Sequence, residues 1–199
     1  MTSRRAGSLV AEPRSPADRP TAVLFDRDGT LVVDVPYNAD PEQVRLVPDA
    51  RQAVDRVRAA GLPIGVVSNQ SGVAKGLITP DQLDRVNARV RALLGPFDTW
   101  QSCLHDAGEG CACRKPAPGM VLAAAAELGV DPVDCVVIGD IGADVGAALA
   151  AGARAVLVPT QTTRVEEVDA ARRTAAVAPT LLAAVELVLS GELSAEVVG

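Results

Sequence analysis

Four short apolar runs recur along the chain, at residues 21–25, 63–67, 134–138 and 153–158. The first stops at Asp26, the second at Ser68, the third at Gly139 and Asp140, the fourth at Pro159. Their apolarity is continuous rather than alternating, which predicts strands buried on both faces. A weaker run at 99–103 leads into a group of cysteines. Between the runs the apolar period lengthens to that of helices. Residues 48–60 open on Pro48 and Asp49 and close at Gly61. A second helix starts at Thr79 and Pro80, carries Leu83, Val86, Val90 and Leu93 on one face, and ends at Gly95 and Pro96. Residues 118–128 and 141–151 each stop at a glycine, and 179–189 form a last apolar helix. Proline near the start and glycine past the end are the expected helix boundaries.

Strands alternating with helices predict an α/β fold, a three-layer sandwich around a parallel sheet. Ligands of such folds bind outside the carboxyl ends of the strands. Asp26, Ser68 and Asp140 stand at those ends. Residues 29–47 hold turn-formers and short β-like pieces, which predict a small flap over the site. No internal repeat or second domain is visible, so residues 21–199 are expected to form one domain behind a tail at 1–20.

Composition narrows this picture. A chain of 199 residues suits one domain with a hydrophobic core. Hydrophobic residues make up 48% and aromatics 2%, so Val, Leu, Ile and Ala must build the core. The net charge of −6, with no basic stripe, argues against nucleic acid as a partner. An anionic substrate would then need a local cluster of donors or a metal. Lys75 and Lys115 are the only lysines. No apolar run approaches the roughly 20 residues of a membrane span. Residues 1–20, rich in Arg, Pro, Ser and Ala, lack an export signal and predict a disordered tail on a cytoplasmic protein. In that compartment cysteines are thiols or metal ligands more often than disulfides.

Asp26 and Asp28 flank Arg27, with Gly29 and Thr30 following. Two carboxylates two positions apart leaving a strand can face one side, where they repel and need a cation or a shared proton. Magnesium takes oxygen ligands and commonly uses one or two carboxylates with phosphate oxygens. One carboxylate can attack phosphorus while the other moves the proton. Taken alone, the pair also reads as a polar turn. Ser68, Asn69, Gln70, Ser71 and Gly72 offer donors to phosphate, and equally make an ordinary turn. The Lys115 ammonium suits a phosphoryl group as a point charge, or is simply solvated. Asp140 ends a buried strand with Asp144 one helical turn later; burial favours a metal or donors nearby, and Asp140 also fits a helix N-cap. Cys103, His105, Cys111 and Cys113 fall within eleven positions. Three thiolates and an imidazole complete a tetrahedral zinc site with no open position, which points to a structural metal; a disulfide or free thiols are the alternatives. Cys135 lies inside an apolar run and reads as a small buried hydrophobe.

The run from Asp26 to Thr30 resembles the first motif of the haloacid dehalogenase (HAD) superfamily. Ser68, Lys115, and Asp140 with Asp144 follow in the order of its other three motifs, across residues 22–158. This resemblance implies a Rossmannoid fold in which Asp26 is the nucleophile, Asp28 the acid and base, and Ser68 and Lys115 stabilise the phosphoryl group. It implies Mg2+ on Asp26, the Asp28 carbonyl and Asp140, with Asp144 a weaker candidate. The cysteine cluster, joined to Arg114, Lys115 and Pro116 and to residues 68–76, resembles the heptose-bisphosphate and histidinol-phosphate phosphatase branch. That branch implies no large cap domain and a Zn2+ loop ordering the segment that carries Arg114 and Lys115. It implies substrate contacts from Arg27, Asp34, Tyr37, Asn69, Gln70, Ser71 and Arg114, with Arg114 on a second phosphate or the sugar. The expected substrate is a small phosphorylated sugar of the heptose-bisphosphate type; histidinol phosphate is the alternative, and a non-catalytic zinc-stabilised binding module a remote one. A monomer is expected. Two positions depart from the family pattern: Ser68 stands where Thr is common, and Ile141 where a basic residue often follows the acid.

Overall fold

The computed structural model describes residues 19–193, so the predicted tail falls, but for its last two residues, outside the described residues. Its strands are β1 (Ala22–Phe25), β2 (Ile64–Asn69), β3 (Thr99–Cys103), β4 (Cys135–Gly139), β5 (Arg154–Leu157) and β6 (Ala176–Val177). They pair in parallel in the order β3-β2-β1-β4-β5-β6. The helices are α1 (Ala50–Ala59), α2 (Pro80–Leu94), α3 (Gly119–Leu128), α4 (Gly142–Ala150), α5 (Val165–Thr174) and α6 (Leu181–Ser190). The α/β sandwich and its parallel sheet are as the alternation of runs predicts.

Strand side chains alternate between two cores, as the pleat requires. Val23, Phe25, Ile64, Val66, Val136 and Ile138 face α1, α2 and α6. Ala22, Leu24, Val67, Cys135 and Val137 face α3, α4 and α5. Both faces of the central strands are dry, which is why their sequences read as unbroken apolar runs. Cys135 packs there as a buried hydrophobe. The second helix starts where a capping box predicts: Thr79 accepts from the Gln82 N–H, and the Gln82 side chain accepts from the Thr79 N–H.

The chain runs from β1 outward through β2 to β3, then returns to place β4 on the other side of β1. The carboxyl ends of β1 and β4 therefore flank the topological switch point, where a crevice opens in such sheets. Asp26 and Asp140 follow those two ends directly. Between β1 and α1 the chain makes isolated bridges at Asp28–Val32 and Val32–Leu46 and a 3-10 turn at Pro41–Gln43, in place of a cap domain. Among the described residues no helix is long and apolar enough to cross a membrane.

Candidate active site

The switch point opens into a cleft of about 250 Å3 lined by Asp26, Arg27, Asp28, Asp34, Tyr37, Asn69, Gln70, Ser71, Lys115 and Asp140. Lys115 organises its floor. Its Nζ donates to Asp26 Oδ1 and Asp144 Oδ1, each at 2.5 Å, and to the Val67 carbonyl at 2.8 Å. Burial alone would favour the neutral amine, but the charges of Asp144 and Asp26 outweigh it and hold the ammonium protonated. The backbone of Lys115 is clamped as well. Asn69 Oδ1 accepts from its N–H at 3.0 Å, and Asn69 Nδ2 donates to its carbonyl at 3.2 Å.

Carboxylate oxygens of Asp26, Asp140 and Asp144 all lie within 4.8 Å of one another. Two glycines make this crowding possible. A Cβ on Gly139 would meet the Asp144 side chain at 2.3 Å. Gly29 holds φ at +85°, and a Cβ there would meet Asp140 Oδ2 at 2.4 Å. Burial, aided by the Asp144 charge, pushes the Asp140 carboxyl up to about 7. Burial likewise raises Asp26 well above the usual carboxylate range, against the pull of Lys115. Fully ionised, the three carboxylates would exceed the one ammonium by two negative charges. That donor set, all oxygen and short of one divalent cation, fits Mg2+.

Asp28 stands apart from this cluster. Its carboxylate takes the Arg27 guanidinium, with Nη2 at 2.8 Å from Oδ2, and the Gln70 amide at 2.7 Å. The same amide donates to Ser68 Oγ at 2.7 Å. Ser68 is buried behind the lining. The Tyr37 hydroxyl accepts from Lys75 Nζ at 3.0 Å, and Lys75 also pairs with Asp106, so the flap is tied to the cysteine loop. Asp34 is exposed in that flap; partial desolvation and the nearby Asp28 charge raise its carboxyl.

Arg114 is the predicted contact that the cleft does not include. It lines an adjacent depression with Asp106, Gly110 and Cys111, and its Nη1 donates to the His105 carbonyl at 3.3 Å. Asp140 does not cap α4 either. Asp144 does so, its Oδ2 accepting from the Ile141 N–H at 3.1 Å.

The cysteine cluster closes the neighbouring loop. Cys103 Sγ lies 3.1 Å from Cys113 Sγ and 3.7 Å from Cys111 Sγ, with 3.5 Å between Cys111 and Cys113. His105 Nδ1 is 3.5 Å from Cys103 and 3.2 Å from Cys113. A tetrahedron with Zn–S bonds near 2.3 Å has sulfur–sulfur edges of about 3.8 Å. The four donors thus stand close to zinc-ligand spacing, and the cysteines are not bridged. The loop runs from the end of β3 to Arg114 and Lys115, and the Gly119 N–H closes it on the Ala112 carbonyl at 2.9 Å. Its fold therefore decides where Lys115 enters the cleft.

Comparison with known proteins agrees with this geometry. A HAD-hydrolase-like family model matches residues 112–184. The D-glycero-β-D-manno-heptose-1,7-bisphosphate 7-phosphatase of Mesorhizobium japonicum is 38% identical over 159 residues, covering 74% of this chain and 71% of the relative. The enzyme of the same name from Pseudomonas putida is 36% identical, covering 69% of this chain and 82% of its own. The chain belongs to this family of HAD phosphatases. A solved family structure, the D,D-heptose 1,7-bisphosphate phosphatase of B. bronchiseptica complexed with magnesium and phosphate, superposes with a TM-score of 0.74 at 30% identity. It covers 85% of this chain and 98% of that one.

Two residues at the site carry no motif. Thr163 Oγ1 donates to the Asp140 carbonyl at 2.7 Å and pins the end of β4 from the loop before α5. Asn87 bonds Arg27 from α2. A signal for Asn87 exists in the sequence: it falls on the buried stripe of Leu83, Val86, Val90 and Leu94, where a polar side chain needs a partner.

Proposed function

We propose that this protein removes the 7-phosphate of D-glycero-β-D-manno-heptose 1,7-bisphosphate. The observation that carries the reading is the convergence on Asp26 of Lys115 and two further buried carboxylates at the switch point. Asp26, Asp140 and the Asp28 carbonyl would hold Mg2+, which supplies charge stabilisation to the phosphoryl oxygens. Asp26 attacks phosphorus as the bond to the sugar oxygen breaks, giving an aspartyl phosphate. Asp28 gives its proton to the departing oxygen. It then takes one from the water that attacks the aspartyl phosphate, so it ends as it began. Lys115 balances charge on the transferring group. The zinc-ligand set of Cys103, His105, Cys111 and Cys113 holds the loop that delivers Lys115, and Asp34, Tyr37 and Ser71 line the path for the sugar.

Asp26→Asn keeps the shape and removes the nucleophile, so phosphate release should fall below ~10⁻³ of wild type with the fold intact. Undiminished release would show the mechanism to be wrong. Steady-state assays on the two heptose-bisphosphate anomers and on histidinol phosphate fix the substrate. Equal or better turnover of histidinol phosphate would overturn the heptose assignment.

A further inference from the structure

Asn87 sits on the face of α2 that packs into the core, only 5% exposed. Its Oδ1 accepts from Arg27 Nη1 at 2.6 Å, across 60 residues of sequence. Arg27 is itself 2% exposed. The rest of its guanidinium clamps Asp28, with Nε 3.1 Å from each carboxylate oxygen and Nη2 2.8 Å from Oδ2. Gln70 holds the same carboxylate from another side. An arginine beside its partner in sequence has several rotamers that could reach it. A planar fork fixed at its far end by a buried amide has one orientation to offer. A buried polar chain thus runs from the interior of α2 to the acid–base group, and it ends there.

We propose that Asn87 is a positioning residue for proton transfer: through Arg27 it sets where the Asp28 carboxyl stands relative to the phosphorus bound at Asp26. This rests on the phosphoryl-transfer reading above. Arg27 accordingly serves Asp28, in place of the substrate contact that the family resemblance implies.

The two half-reactions separate this role from general damage. When a sugar oxygen leaves, the phosphorus–oxygen bond breaks and Asp28 must supply a proton. When p-nitrophenolate leaves, the same bond breaks with no proton needed. Hydrolysis of the aspartyl phosphate needs an ionised Asp28 to accept a proton from water in both cases. With the sugar it is ionised by the first step; with p-nitrophenyl phosphate it is the enzyme form with Asp28 already ionised against Arg27 that turns over. Asn87→Leu keeps the apolar packing of α2 and removes the acceptor; Asn87→Asp keeps an acceptor for Arg27. Rapid-quench kinetics on the metal-loaded enzyme with p-nitrophenyl phosphate should give, for Asn87→Leu, a burst of one equivalent of p-nitrophenolate at close to the wild-type rate. Steady turnover should then be slower by roughly 10²-fold, the lower end of general acid–base contributions. Turnover of the sugar phosphate should fall similarly without a burst, and Asn87→Asp should recover most of the loss. Burst and steady rates falling by one common factor, or neither changing, would overturn the proposal. Failure of the underlying phosphatase reading shows elsewhere, as wild-type turnover surviving in Asp26→Asn.

Discussion

Lys115 spends all three of its donors on Asp26, Asp144 and the Val67 carbonyl, so its removal strands carboxylates whose geometry it balances. Lys115→Met should therefore act twice. Breaking a buried ion pair from one side costs about 3–5 kcal/mol, which denaturant unfolding of the metal-free protein would register at neutral pH. Loss of the charge on the phosphoryl group should lower kcat by ~10²–10³. A variant that lost activity but kept full stability would mean that Lys115 serves chemistry without serving the fold. The pattern itself announces Asp26, Asp140 and the cysteine cluster, because each sits at a strand end or in a tight motif. Lys115, taken alone, reads equally as a solvated charge, and its role comes from the family resemblance. The pattern does not announce where Arg27 and Asn69 aim. Both look like donors for a phosphate, yet the Arg27 guanidinium is claimed by Asp28 and by Asn87 60 positions away. The Asn69 amide is claimed by the Lys115 backbone, 46 positions away. Long-range partners decide a polar side chain's direction, and periodicity carries no trace of them.

Elements follow the same rule in reverse: those that bury the most apolar surface are the ones the pattern reveals. β1, β2, β4 and β5 and five of the helices appear as runs or stripes, with ends shifted by one or two residues. β6 pairs only two residues, too short to form a run. α5 buries Ala171 alone and is otherwise polar or partly exposed, so it lacks a stripe. β2 extends through Ser68 and Asn69, past the end of its apolar run, because those residues still pair with Ser102 and Cys103 of β3. The cysteine loop is ordered by neither period. Its order should come from metal, since its four donors stand together near zinc-ligand spacing and metal binding of this kind is coupled to folding. Zinc chelation should raise hydrogen exchange across residues 104–118, lower Tm and reduce turnover, whereas magnesium withdrawal should stop turnover and leave exchange in that loop unchanged. Unaltered exchange after verified zinc loss would show that the loop folds without it.

Across the whole molecule, the sheet gathers acids at one point that the chain's overall negative charge does nothing to relieve. The strand order fixes this: β1 and β4 are neighbours, so the residues after them share one crevice. The consequence is a pH dependence of an uncommon sign. Burial raises the carboxyls of Asp140, to about 7, and of Asp26 in the folded protein. The metal-free native state therefore keeps protons that the unfolded chain has released above about pH 4. Their contribution to stability is fully present below that pH and is lost as pH rises through about 7. One such group contributes a slope of at most ~1.4 kcal/mol per pH unit. Bound Mg2+ favours the charged carboxylates and so removes the trend. Thermal unfolding of the chelated protein should show Tm falling from pH 5.5 to pH 8, Asp140→Asn should flatten that fall, and saturating Mg2+ should abolish it. A chelated wild type that gains stability over this range, in parallel with Asp140→Asn, would mean that the crevice does not hold its acids protonated and that the two negative charges are balanced elsewhere.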